Sequence, residues 1–186
     1  PKKRARKGGF AAIKRPQLTD QEKKIKLIER WAQVIEEDGP DKSRTARELL
    51  ELRSDGEERA SGTAPSSTTE GGERASGTAL SPQMELLKHV FWDKSAKTLA
   101  TRLAPFISIR AWMFENRRNM FEESSVYDYL RITCKGKGAK APSHQDAVMQ
   151  SLAFAEGVIG YHLNGIEQSR RCRGVAAECM AKLGLR

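Results

Sequence analysis

A chain of 186 residues has room for one ordinary domain plus extensions, and with 38% hydrophobic and 6% aromatic residues it is too lean to be packed from end to end. Its net charge of +9 is unevenly placed: residues 1–30 hold eleven Lys/Arg against three acids, residues 31–83 six against eleven, and residues 84–186 sixteen against ten. The basic parts favour polyanions such as nucleic acid or anionic lipid, while no run approaches the ~20 apolar residues that a membrane span needs. The basic start is not followed by the apolar stretch of a signal peptide. Three cysteines without a CxxC argue against a disulfide framework and fit a reducing compartment. His89, His144 and His162 lack metal-ligand spacing, so neither a metal nor another cofactor is expected. The first residue is Pro1 rather than Met, which suggests a piece of something longer.

Residues 1–18 open with "PKKRARK", in which Lys2, Lys3, Arg4, Arg6 and Lys7 are followed by Gly8 and Gly9. Like charges without apolar anchors do not pack, so the segment reads as a disordered basic tail. It resembles a nuclear import signal, which implies an import receptor as partner and a nuclear location. A solvated or polyanion-binding arm is the other reading, and the two are compatible. Residues 19–52 read as an amphipathic helical segment. Thr19 and Glu22 have capping-box spacing, Ile25, Ile28, Trp31, Ala32 and Ile35 recur at helical period, and Gly39-Pro40 stops the run. "DKSRTARELLEL" (41–52) can add a second short helix, making a hairpin that docks on the main domain or on a partner. Residues 53–83 read as a disordered linker. There "GEERASGTA" returns 15 residues later as "GGERASGTA", and the stretch is too polar to offset its ordering entropy.

From Met84 the apolar residues return, and residues 84–186 read as a single helical domain. Ser95 can cap a helix carrying Leu99, Leu103, Phe106, Ile109 and Met113, with a kink or break expected at Pro105. "ESSVYDYLRITC" predicts a helix capped by Ser124 or Ser125, with Val126, Tyr129 and Leu130 as its apolar side. "KGKGAKAP" (135–142) is a basic glycine-rich loop. Ser143 is expected to cap the next helix. Its Val148, Leu152, Ala155 and Ile159 form a core stripe opposite the small or polar Asp146, Gln150, Ala153, Gly157 and Gly160. A last helix follows Asn164-Gly165 and runs to about Leu183. No segment reads as a convincing strand. The fold class is all-α: a small orthogonal helical bundle preceded by a helical hairpin and disordered segments.

"KTLATRLAPFISIRAWM" resembles the first core helix of the N-terminal SAM-like core-binding domain of tyrosine recombinases (phage-integrase type). Thr98, Leu99, Phe106, Ile109, Trp112 and Met113 stand where that pattern places them. "SVYDYLRI" resembles its short helix with a Tyr-Leu pair, "MQSLAFAEGVIG" its Leu-Arg-Phe-Ala helix, and "SRRCRGVA" the run into the last helix of some transposon-encoded members. The match spans roughly residues 94–176, with Arg102 where Tyr is frequent, Ala153 where Arg is frequent, and Pro105 inside the first core helix. The resemblance implies a transposon-derived clamp on duplex DNA, associated with DNA recombination and integration. In that family the chemistry belongs to a separate C-terminal domain with a His-x-x-Arg motif and a nucleophilic Tyr. No His here is followed three residues later by Arg, and little chain remains beyond the match. No catalytic residue and no enzymatic activity are therefore expected.

The candidate DNA-binding residues fall in three groups. Lys94, Lys97, Arg102 and Arg110 lie along the first core helix, with Arg117 and Arg118 at its end. Lys135, Lys137 and Lys140 sit in a loop before a helix N-terminus, where backbone amides help to hold a phosphate; the loop lacks the GxxxxGK[ST] of a P-loop. Arg170, Arg171 and Arg173 form the third group. Gln145 and Gln150 are of the type that reads base edges. His144 is expected to be exposed near a helix start, and His162 partly buried. Glu122 and Glu123 suit the N-terminal dipole of the following helix. The competing reading is a helical protein–protein interaction module, with the basic tail serving import alone.

Overall fold

The computed structural model describes residues 18–61, 82–119, 121–135, 140, 141 and 143–181. The import-signal residues Lys2, Lys3, Arg4, Arg6 and Lys7, the linker from residue 62 to 81 and Lys137 lie outside the described residues. Among the described residues there are seven α-helices and no strand beyond one isolated bridge, so the fold is an all-α bundle.

Helix α1 (Asp20–Asp38) starts at a complete capping box: Thr19 Oγ1 accepts from the Glu22 amide, and the Glu22 carboxylate accepts from the Thr19 amide. It stops at Gly39, whose φ of +83° suits a residue without Cβ. Ile28, Trp31, Val34 and Ile35 are buried, whereas Ile25, placed on the same face by period, stays exposed. Helix α2 (Arg44–Ser61) is capped by Ser43 Oγ, which accepts from the Ala46 amide. It continues to Ser61, into the stretch read as linker. Arg53, Glu57, Glu58, Arg59 and Ala60 are good helix formers, and a nucleated helix propagates through them. Helix α3 (Pro82–Val90) opens with a proline where the missing N–H costs nothing.

Helix α4 (Ala96–Glu115) is capped by Ser95 and buries Leu99, Leu103, Phe106, Ile109 and Met113 as the periodicity requires. The break expected at Pro105 does not occur: the helix is continuous, and the proline ring is itself buried. Beside the gap in the hydrogen-bond ladder, Ser151 Oγ donates to Arg102 O at 2.8 Å, tying the next long helix to this turn. Helix α5 (Glu123–Cys134) begins two to three residues earlier than a Ser124 or Ser125 cap implies. Its cap position is Glu122, without a side-chain bond, and Ser125 is buried rather than capping. Helix α6 (Ser143–Phe154) runs into a π-helical turn, Ala155–Ile159, and then Gly160. A 3₁₀ turn (Ile166–Gln168) leads into α7 (Arg170–Ala181), so the last helix starts later than the Asn164-Gly165 signal suggested.

The core is centred on Trp31 of α1, fully buried against Phe91, Phe106 and Phe154 with ring centroids 5.4–6.2 Å away. The hairpin thus docks on the main domain and supplies its centre. A second lock holds the α1–α2 turn against the end of α6. Arg44 N donates to Gly160 O (2.9 Å), His162 N donates to Lys42 O (2.9 Å), and the hydroxyls of Ser43 and Thr45 donate to Ile159 O. A Cβ on Gly160 would lie 3.1 Å from Arg44 Cβ, and its φ is +75°, so close approach and backbone both require glycine. Beside this lock, Asp38 accepts from Arg110 Nε and from Tyr161 Oη (2.7 Å), while Arg110 also reaches Glu37 (2.9 Å).

The cysteines depart from the expectation of no disulfide. Cys134 of α5 and Cys179 of α7 are bonded, with Cα atoms 6.2 Å apart, and Cys172 stays free and buried. Packing of α5 along α7 brings together residues 45 apart in sequence, which spacing alone does not show. Serine at both positions, or reduction, should lower unfolding stability by about 3–4 kcal/mol, the chain-entropy value for a loop of this length, readable by urea titration. Arg110→Met should cost about 3 kcal/mol, because it strands the Asp38 carboxylate, whose side chain is 3% exposed. Adding Asp38→Asn in that background should restore part of the loss in the same titration.

Candidate nucleic-acid interface

Helix α5 presents Tyr127, Asp128, Arg131 and Lys135 at i, i+1, i+4 and i+8, away from its buried Val126, Tyr129, Leu130 and Thr133. Helix α7 packs against α5 and buries Cys172, Val175, Ala176 and Cys179, which leaves Arg170, Arg171 and Arg173 exposed. The two helices meet at Tyr127. The Arg171 guanidinium carbon lies 3.8 Å from the centre of its ring and the Arg131 carbon 5.6 Å. One ring thus holds two guanidiniums, and among the described residues neither makes an ion pair with a carboxylate. Cations stacked by their faces keep their N–H edges free for an anion.

The surface continues at both ends. Arg118, in the turn after α4, reaches Asp128 at 3.4 Å, which sets the exposed Arg117–Arg118 turn beside this face of α5. At the far end Lys135 reaches Glu178 of α7 at 3.5 Å, next to the disulfide. Of the residues picked from sequence, Arg117, Arg118, Lys135 and Arg171 belong to this surface. Arg131 and Tyr127 were missed. Their i, i+4 spacing opposite the apolar side of α5 was a readable signal, but the stacking partner on α7 was not.

Other candidates are engaged elsewhere. Arg110 is spent on Glu37 and Asp38, Lys94 pairs with Asp93 (2.6 Å), and Arg173 Nε donates to Glu167 O (2.8 Å). Lys97 is exposed and Arg102 half-buried on α4, and Arg170 is exposed at the start of α7. Gln145, considered as a base reader, is fully buried, with its amide donating to Thr133, so it is not free to read a base. Gln150 is exposed but tied to Asp146. His162 is exposed rather than partly buried, because the lock uses its backbone amide and not its ring.

Lys140, from the lysine loop, does not point freely outward. Its ammonium donates to Tyr129 Oη (3.2 Å), which also bonds His144 Nε2 (2.9 Å). Burial pushes the Tyr129 hydroxyl up to about 12. Burial, and then the charge of Lys140, holds His144 below the usual imidazole range. His144 therefore lies half-buried in a polar cluster at the start of α6, not on the surface. Nearby, Glu156 and Glu167 form a second titratable pair. Burial and the neighbouring Glu167 carboxyl raise Glu156, the Glu156 carboxyl lowers Glu167, and Gly165 N donates to Glu156 Oε1, while Oε2 of each glutamate is buried without a hydrogen-bond partner among the described residues. This pair joins the π turn to the 3₁₀ turn.

Among the described residues no group of three or more His, Cys, Asp or Glu is placed to hold a metal ion, and no helix is long and apolar enough to cross a membrane. No family model, curated protein or solved structure matches the chain.

His144 gives a pH signature. Its folded-state affinity for a proton is depressed below the unfolded value, so its contribution to stability is fully present above about pH 6.5 and is lost as pH falls through the folded pKa. Urea titrations at pH 7.5 and 5.5 should show a larger acid loss for the native chain than for His144→Gln. Equal losses would remove His144 from the account.

Proposed function

We propose that this chain binds duplex DNA through its phosphates, using the α5–α7 face. The observation that carries the reading is the pair of guanidiniums, Arg131 and Arg171, stacked on Tyr127 without an ion pair to a carboxylate among the described residues. A phosphodiester supplies the missing negative charge and matches the donor geometry of arginine. The chain's net charge of +9 acts in the same direction at longer range.

The order of helices α4 to α7, with Leu99, Phe106, Ile109 and Met113 buried as the resemblance expects, supports a core-binding role of the tyrosine-recombinase type. In that role the chain grips DNA during recombination or integration and carries no strand-transfer chemistry of its own. Residues 2–7 would direct it to the nucleus through an import receptor, where a reducing milieu would leave Cys134 and Cys179 as thiols and the α5–α7 contact to packing and the Ser169–Glu123 bond. The protein-interaction alternative draws on the exposed Phe114, which with Ile107 and Ala111 edges a recess otherwise lined by the charged Glu37, Asp38, Lys42 and Arg110.

The test is binding of the full chain to a mixed-sequence duplex across a salt series. The logarithm of affinity should fall linearly with the logarithm of salt, and Arg131→Glu with Arg171→Glu should flatten the slope by about 2, one unit for each lost phosphate contact. Affinity at low salt should drop at least roughly tenfold while helicity by circular dichroism is unchanged. Binding that is absent, or indifferent to salt, would sink the proposal.

A further inference from the structure

Helix α4 ends in an unusual way. Arg118 N donates to Met113 O (2.9 Å) and Arg117 N donates to Phe114 O (3.2 Å), the pair of bonds that closes a helix through one left-handed residue. That residue is Arg117, with φ of +50°. Glycine is the usual occupant, since a side chain is strained there and glycine is not. The fold therefore tolerates an arginine at a position where its own backbone prefers glycine.

No local contact accounts for this. Arg117 is exposed, and among the described residues it makes no ion pair or side-chain hydrogen bond. Its neighbour Arg118 is the one tied down, to Asp128 on α5. That tie sets the turn against the face that carries Tyr127 and Arg131. The strained residue thus sits, exposed and without an ion pair among the described residues, at the rim of the candidate interface.

We infer that Arg117 is a ligand-contact residue, held in a strained backbone so that its guanidinium meets a phosphodiester of the bound DNA. This rests on the DNA-binding reading and gives Arg117, otherwise only a member of the surface, a direct phosphate contact and a reason for its backbone. The strain is retained because only a side chain, and only a cation, reaches the anion from this point. The competing account is structural: a cation at a helix C-terminus interacts favourably with the helix dipole.

Replacement with glycine separates the two accounts. If Arg117 serves the ligand, Arg117→Gly relieves strain and leaves the melting temperature unchanged or raised by a few degrees, about 2–4 °C. In the salt series the same variant loses affinity several-fold and about one unit of slope. Arg117→Lys, which keeps charge and strain, retains the slope. A fall in melting temperature for Arg117→Gly, or an unchanged slope, overturns the inference. The failure of the broader reading looks different: the native chain itself then shows no salt-dependent binding, whatever stands at Arg117.

Discussion

Asp38 is a carboxylate almost without water, and the arrangement of the bundle follows from what it needs. A buried charge has to be neutralised and hydrogen-bonded. Its two partners come from distant parts of the chain, Arg110 on α4 and Tyr161 beyond α6. Meeting that demand fixes the end of α1 against the middle of α4 and against the stretch after the π turn. Burial and the Asp38 charge push the Tyr161 hydroxyl far above the usual phenol range, so it stays a donor to Asp38 at any ordinary pH. With the end of α1 held there, Trp31 lies two turns back at the centre of the core. The α1–α2 turn then comes within backbone hydrogen-bonding reach of Ile159, Gly160 and His162.

This arrangement sorts the basic residues. A cation near a buried acid is consumed, as Arg110 is. A cation on a face where the few acids already have partners is left over, as beside the Arg118–Asp128 and Lys135–Glu178 pairs. Helices α5 and α7 carry Arg131 and Arg171, and the turn after α4 carries Arg117 beside them, none with an ion pair among the described residues. The face proposed to meet DNA thus carries what remains of the positive charge after the fold has used its share. That is why the acidic residues of α1 and the basic residues of α7 have such different fates.

Much of this was legible locally. The Thr19–Glu22 box, the Ser95 cap and the buried stripe of α4 all depend on residues within a few positions of one another. So does the core stripe of Val148, Leu152, Ala155 and Ile159, which is buried throughout. What escaped depends on tertiary contact. Pro105 looked like a break because the lost hydrogen bond is local, whereas the burial that keeps the helix whole is not. Gly160 looked like part of a small, featureless face, but it is the contact point of the α1–α2 turn. Arg110 looked available until α1 was placed beside it. Among the sites, individual cations could be named, but which of them meet across helices could not. Tyr127 and Arg131 were overlooked because a stacking ring draws its meaning from Arg171 on another helix.

The α5–α7 face is tied at both ends. At one end Ser169 Oγ donates to Glu123 and also accepts from the Cys172 amide, so the start of α7 is pinned to the start of α5. At the other end the Cys134–Cys179 bond joins the same two helices. Between these ties a single ring fixes the two guanidiniums within about 10 Å of each other, since both lie within 5.6 Å of its centre. Arginine side chains ordinarily lose rotamer freedom when they bind, at a cost of roughly 0.5–1.5 kcal/mol each. Contact with the Tyr127 ring restricts part of that freedom in advance, more for Arg171 at 3.8 Å than for Arg131 at 5.6 Å. The repulsion between the two cations is carried by the covalent and hydrogen-bonded frame. On the proposed reading, a phosphate between the two guanidiniums would relieve that repulsion, which favours an anion with more than one charge along its length.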